Sequence, residues 1–144
     1  MSVQQHCVAH HEHLTISDSW KKIKLMRYIE TLIRTIYTLF CRSSTKQSKF
    51  EDIANILEYE SVAFRPVSEV RWLSRHFAQT ELIRNYDPLL KYFEGDKSKD
   101  PVSKYCYTML NKLEIRINLE ILNNVFQNFC FLVFAVPKAL FDST

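Results

Sequence analysis

Cys7 and His10 are the first pair of residues whose types and spacing could do chemistry, because a three-residue separation is typical of half a zinc site. His6, His11 and His13 lie beside them. A structural zinc site takes four ligands, usually as two pairs, and no second pair with standard spacing follows in the sequence. We therefore expect no bound metal or other cofactor. Cys7 should pack as a small apolar side chain, and His10 should hydrogen-bond a neighbouring segment.

Carboxylates for hydrolytic chemistry are the second candidates. Asp52, Asp87 and Asp100 are predicted at helix starts or turns, where a capping role accounts for them. Ser74 and His76 lie close in sequence, but nothing supports a nucleophilic triad built on them. These residues do not predict an enzyme.

Trp72 lies in a segment with the chemistry of a helix start. Pro66 cannot sit inside a helix, Ser68 is a good N-cap, and Glu69 suits the positive end of the helix dipole. Trp72 then falls in the first turn, next to Arg71. On side-chain chemistry alone, Trp72 is interpreted as a core anchor.

The segment 20–42 has the clearest helical pattern, with apolar residues every three or four positions. These are Met26, Ile29, Ile33, Ile36 and Phe40. The opposite side of the helix combines cations with threonines, namely Lys24, Arg27, Thr31, Arg34, Thr38 and Arg42. This face has two interpretations. It is either an ordinary solvated face or a surface that contacts phosphates.

Weaker patterns predict the other elements. A serine or threonine in 42–45 should cap a second helix, and a helix over 71–93 should kink or split near Asn85, with Phe77 on its inner side. A helical pair over 101–127 should start at Asp100-Pro101, break near Asn111 and turn Val102 inward. The tail 128–144 is apolar, and Pro137 should break it.

Composition predicts one all-α domain of five or six amphipathic helices. The chain of 144 residues has a single Gly, and 47% of its residues are hydrophobic. Four scattered Cys and a polar N-terminus predict a nuclear or cytoplasmic protein that is not secreted, and no apolar run is long enough to span a membrane. The net charge is only +3, but the segment 20–49 has eight Lys and Arg against one acidic residue. That asymmetry is typical of a surface that meets anions.

Cys7-Val8-Ala9-His10 and, some sixty residues later, Arg71-Trp72-Leu73-Ser74 resemble motifs of the hAT family of DNA transposases and the host genes derived from them. The resemblance covers roughly Gln5 to Gln127. It implies part of the helical insertion that interrupts a ribonuclease H-like core, with a Cys-x-x-His element at 6–17, a basic helix at 20–42 and an Arg-Trp helix at 71–93. The catalytic Asp-Asp-Glu segments of the family have no counterpart in this sequence, so the resemblance implies no strand transfer activity.

Two functions follow from the resemblance and from composition. The first is a transposon-derived, catalytically inactive module that associates with DNA, mainly through its phosphate backbone. Lys24, Arg27, Arg34 and Arg71 would then contact the DNA, and Trp72 would stack on an unpaired base. The alternative is a protein-interaction module, with a protein partner or a second copy bound to exposed apolar surface and no nucleic-acid role.

Overall fold

The computed structural model describes residues 22–60, Phe64 and 72–142, with side chains described to residue 128 except at 72 and 73. Over these ranges the chain forms six helices and no strand, which confirms the predicted all-α fold. The helices are α1 (Lys24–Cys41), α2 (Ser44–Ile56), α3 (Trp72–Arg84), α4 (Tyr86–Asp96), α5 (Pro101–Leu110) and α6 (Leu113–Asp142). None of the described helices is long and apolar enough to cross a membrane.

Side-chain caps set two of the helix starts. Ser43 Oγ accepts a hydrogen bond from the backbone N–H of Lys46 (3.3 Å), so Ser43 caps α2. Asp100 accepts from the N–H of Val102 (3.1 Å), and Pro101 follows as the first residue of α5. Both starts agree with the sequence-based prediction.

Asn85 separates α3 from α4, where the sequence predicts a kink or a split. Its side-chain Nδ2 donates to the carbonyl of Glu81 (2.9 Å), and its own carbonyl accepts from the N–H of Leu89 (2.9 Å). Pro88 therefore lies in the first turn of α4, where a missing backbone N–H leaves no helix bond unmade.

The core is built around α1, which packs against α2, α3, α5 and α6. Phe40, near the end of α1, lies at the centre of an aromatic group. Its ring centroid is 5.1 Å from those of Phe50, Phe64 and Tyr92, and 6.2 Å from that of Phe93. Most of these pairs are tilted or edge-on, which are arrangements that aromatic rings prefer. The apolar face predicted for 20–42 is thus the face that holds the bundle together.

Two residues predicted to point inward are exposed. Phe77 is 46% exposed, because α3 turns Ala78 and Leu82 toward the core and Phe77 lies about 100° away from Ala78 around the helix. Val102 is 40% exposed, because Ser103 and Cys106 set the buried side of α5. In both helices the buried face includes small or polar residues that a search for large apolar side chains passes over.

Two further predictions about local structure are wrong. The backbone of α6 continues through Pro137 to Asp142, since one proline removes only one helix hydrogen bond and can be accommodated within a long helix. Asp52 lies inside α2 and not at a helix start or turn, because α2 begins eight residues before it at Ser44.

Candidate nucleic-acid interface

The exposed side of α1 carries the cations that the sequence places opposite the apolar face. Lys24 and Arg27 are both exposed, whereas Ile29 and Ile33 are buried. The ammonium group of Lys24 lies 5.8 Å from the centroid of the Tyr28 ring on the same helix. The first two turns of α1 therefore present positive charge without uncovering the core.

Farther along α1, the same side forms one wall of a groove of about 520 Å³. The other walls come from the capped start of α2 and the first turn of α5. Three cationic side chains and four hydroxyl side chains line the groove, together with two aliphatic residues: Arg34, Arg42, Lys46; Thr31, Thr35, Thr38, Ser43; Leu39 and Val102. Cations and hydroxyls together are the side chains that contact phosphate oxygens in proteins.

Arg34 differs from the simple basic face that the sequence predicts. Its guanidinium donates two hydrogen bonds to Glu30 Oε1, at 2.8 and 3.1 Å, so part of its charge is balanced on its own helix. Sequence spacing places Glu30 four residues before Arg34, the separation at which helical ion pairs form. Arg34 thus contributes less net charge to the groove than its position in the sequence suggests.

Lys46 joins the groove to the start of α5. Its ammonium group donates to Asp100 Oδ2 at 3.0 Å, and Ser103 Oγ lies 3.4 Å from the same oxygen. The hydrogen bond from Lys46 is the main reason that the pKa of Asp100 lies below its ordinary value of 3.8. The carboxylate of Asp100 stays charged at neutral pH, and the ion pair holds α2 against α5.

No protein-family model matches this chain, and no solved structure matches it.

The remaining predicted site residues lie at the edge of the described structure or beyond it. Cys7, His10 and Arg71 fall outside the described residues. Trp72 is the first residue of α3, which agrees with a helix starting at the Arg-Trp element, but its side chain falls outside the described part. Within the residues that the structure describes, no three His, Cys, Asp or Glu side chains come together as metal ligands would.

Lys46 is one of two groove cations that the sequence-based site prediction missed. It lies beyond the end of α1, and only the fold brings it beside Arg42 and Arg34. Arg42 lies on the predicted basic face but is not one of the residues predicted to contact DNA. The feature of the sequence that could have predicted the positions of Arg42 and Lys46 is the capped turn at Ser43. This turn reverses the chain and places the first turn of α2 against the last turn of α1. The assembled groove can bind anions by charge and hydrogen bonding.

Proposed function

We propose that this protein is a transposon-derived, catalytically inactive hAT transposase-like module, and that it associates with DNA through phosphate contacts in the groove between α1, α2 and α5. The observation that carries the proposal is the set of groove cations, Arg34, Arg42 and Lys46, interleaved with hydroxyl side chains from α1 and from the residue that caps α2. The motifs Cys7–His10 and Arg71–Trp72 support the choice of DNA as the polyanion. A nuclear location would follow from that role.

Ion pairs in the groove are compatible with phosphate binding. The side chains of Arg34 and Lys46 are 39% and 34% exposed, and such partly exposed pairs contribute only about 0–1 kcal/mol each. A phosphate can therefore share Arg34 and Lys46 with these carboxylates, because a guanidinium has five N–H donors and an ammonium has three. Neutralisation of phosphates by the groove cations releases counterions from the DNA, and that release supplies most of the binding free energy. Binding of this kind depends on salt and hardly on base sequence.

The direct test is the salt dependence of binding to a fluorescent duplex oligonucleotide. Wild-type protein should bind with a log–log slope that reports several neutralised phosphates. Replacing Lys24, Arg27 and Arg34 by Gln should reduce the slope by roughly 0.9 for each phosphate that is no longer neutralised, and Arg42→Gln with Lys46→Gln should do the same. A matched control, Lys91→Gln with Lys112→Gln, removes exposed charge outside the groove and should leave the slope nearly unchanged. Equal slopes for all four proteins would reject the groove as the DNA-binding surface.

Trp72 requires a separate test, because its two interpretations predict different effects. If it is a core anchor, which we favour, Trp72→Ala should cost about 3–5 kcal/mol of stability. If it stacks on an unpaired base, the substitution should leave thermal melting unchanged and weaken binding to hairpin DNA by about 1–3 kcal/mol per base stacked. Melting and hairpin binding of the same variant distinguish the two.

A second candidate function, self-association without a nucleic-acid role, is favoured by one feature of α6. Four apolar residues at a spacing of four lie exposed along this helix: Leu113 (70%), Ile117 (46%), Ile121 (52%) and Val125 (55%). They form a ridge of the kind that packs into the matching groove of another helix at about −50°. Arg116 and Glu120 lie beside this α6 ridge with opposite charges, so two copies of α6 that cross there are complementary in charge. We therefore propose that the α6 ridge packs against the same ridge of a second copy of this chain.

Sedimentation velocity over a range of concentrations tests the self-association. The double substitution Ile117→Lys and Ile121→Lys should abolish any dimer and leave the monomer folded, since both side chains are already about half exposed. Arg116→Gln, a matched change beside the ridge, should only weaken it. A wild-type chain that sediments as a monomer at all concentrations would remove this candidate and leave the DNA proposal standing.

A further inference from the structure

A second cluster of cations lies on the other side of the α5 start from the α1 groove. The connection 97–100 and α5 enclose a cleft of about 790 Å³. Lys97, Lys99 and Lys104 line it, and Ser98, Tyr107 and Thr108 provide its hydroxyl groups. The charge of the sequence does not predict this cleft, because the segment 50–100, which includes Lys97 and Lys99, has a net charge of −3.

The three lysines differ in their partners from Arg34 and Lys46 of the groove, which are each paired with a carboxylate. In the part of the chain that the structure describes, none of them forms an ion pair with a carboxylate. Lys97 instead lies over the ring of Tyr107, with its ammonium 4.2 Å from the ring centroid. This interaction keeps the Lys97 ammonium beside the α5 wall of the cleft. Among the residues that line the cleft, Asp100 is the one anion.

Asp100 does not cancel this charge, because Lys46 balances it from the opposite side. Asp100 lines the cleft, whereas Lys46 lines the α1 groove, and their 3.0 Å ion pair forms the boundary between the two sites. Lys49 similarly balances Asp96, at 3.5 Å, next to the connection 97–100. These two acidic residues beside the cleft are therefore each paired with a lysine of α2.

We propose that the Lys97–Lys99–Lys104 cleft is a second phosphate-binding site, which binds the same nucleic acid as the α1 groove and extends its footprint across the start of α5. The proposal rests on the proposed DNA association. Lysine binds phosphate as a point charge, and the three lysines lie beside hydroxyl side chains that can also contact phosphate oxygens. Adjacent sites on the two sides of one helix start allow a single backbone to reach both.

The salt slope of duplex binding tests this site separately from the groove. Lys97→Gln with Lys99→Gln and Lys104→Gln should reduce the slope by about 0.9 per phosphate, up to about 2.7, with the effect of the α1 substitutions adding to it. The control Lys91→Gln with Lys112→Gln should change the slope little. An unchanged slope in the cleft variant, with a reduced slope in the α1 variant, overturns the second site and keeps the proposed function. Absence of salt-dependent binding by wild-type protein overturns both.

Lysine acetylation of the wild-type protein gives a second measurement that needs no substitution. Bound duplex should protect Lys97, Lys99 and Lys104 from acetylation, as read by mass spectrometry, at least as strongly as it protects Lys46. Lys91 and Lys112 should react at the same rate with and without DNA. Protection of Lys46 alone overturns the second site. Protection of the three cleft lysines by an acidic peptide, with none by DNA, assigns the cleft to a protein partner and also overturns it.

Discussion

Arg75 and Glu30 join α3 to α1 through an ion pair that is largely removed from solvent, with Arg75 Nε 3.4 Å from Glu30 Oε2. The side chain of Arg75 is only 4% exposed, and that of Glu30 is 18% exposed. The other oxygen of Glu30 accepts from Arg34 on the exposed face. One carboxylate therefore serves both the interior and the candidate interface, so a change at Glu30 should be felt in stability and in binding.

Replacing Glu30 by Gln should lower the free energy of unfolding by about 3 kcal/mol, because the largely buried guanidinium of Arg75 loses the charge of the carboxylate that lies 3.4 Å away. The same change should strengthen DNA binding at low salt, since the carboxylate that balances part of the Arg34 charge is then removed. Chemical denaturation and duplex titration of one variant measure both effects. Glu51→Gln, on α2, serves as the control, because Glu51 accepts from Gln47 on its own helix. Equal stability of Glu30→Gln and wild type would contradict the bridging role of Glu30.

Among the residues that the structure describes, Glu58 is the non-glycine residue whose backbone is left-handed, with φ at 59°. It follows the last turn of α2, where the N–H of Tyr59 bonds the carbonyl of Ala54 and the N–H of Glu58 bonds that of Asn55. This pattern is a Schellman motif, which favours glycine at the position of Glu58. Glu58→Gly should therefore raise the stability by roughly 0.5–1 kcal/mol. Glu60→Gly, where the backbone is not left-handed, should lower it slightly, and thermal melting compares the two.

His76 should make stability depend on pH. Burial lowers the pKa of His76 below its ordinary value of 6.5, and the rings of Phe77 and Phe126 lie beside it. The unfolded chain then binds the proton first, so the stability that the neutral imidazole contributes is complete above pH 6.5 and decreases as pH falls toward the lower folded pKa. The free energy of unfolding should change with pH by at most about 1.4 kcal/mol per pH unit. Denaturation of wild type and His76→Gln between about pH 5 and 8 should differ by this slope. Parallel curves would rule it out.

The predictability of the fold follows from how α1 and α3 bury their faces. In α1 the buried apolar residues repeat at three or four, so its buried face and its basic face both follow from the sequence. On α3 and at its end, the buried set includes Arg75, Gln79 and Asn85, which no apolar pattern identifies. Gln79 is fully buried, and its two amide atoms have no hydrogen-bond partner among the described residues. The orientation of α3 about its axis is set by the helices that pack against it. The sequence pattern of α3 alone therefore does not predict that Phe77 is exposed.

The candidate interface is predictable to the same partial extent. Lys24, Arg27 and Arg34 share one face because helical periodicity alone places them there. Lys46 enters the groove, and Lys97 meets Lys104 in the cleft, only because turns bring separate segments together. The net charge of a segment sums residues that lie on different surfaces of the fold. The net negative charge of the segment 50–100 therefore does not indicate the positive cleft.

Cys106 should resist modification until the bundle unfolds. Its side chain is fully buried, and burial raises the pKa of the thiol to about 12, whereas Cys41 is exposed. At about pH 8 only about one in ten thousand Cys106 side chains would be thiolate, the form that reacts. In a variant with Cys7 and Cys130 replaced by Ser, iodoacetamide should label Cys41 within minutes and Cys106 only when denaturant unfolds the chain. Labelling of Cys106 in native buffer at the rate of Cys41 would show that the packing of α5 on α1 opens without global unfolding, and the core described around α1 would then be wrong.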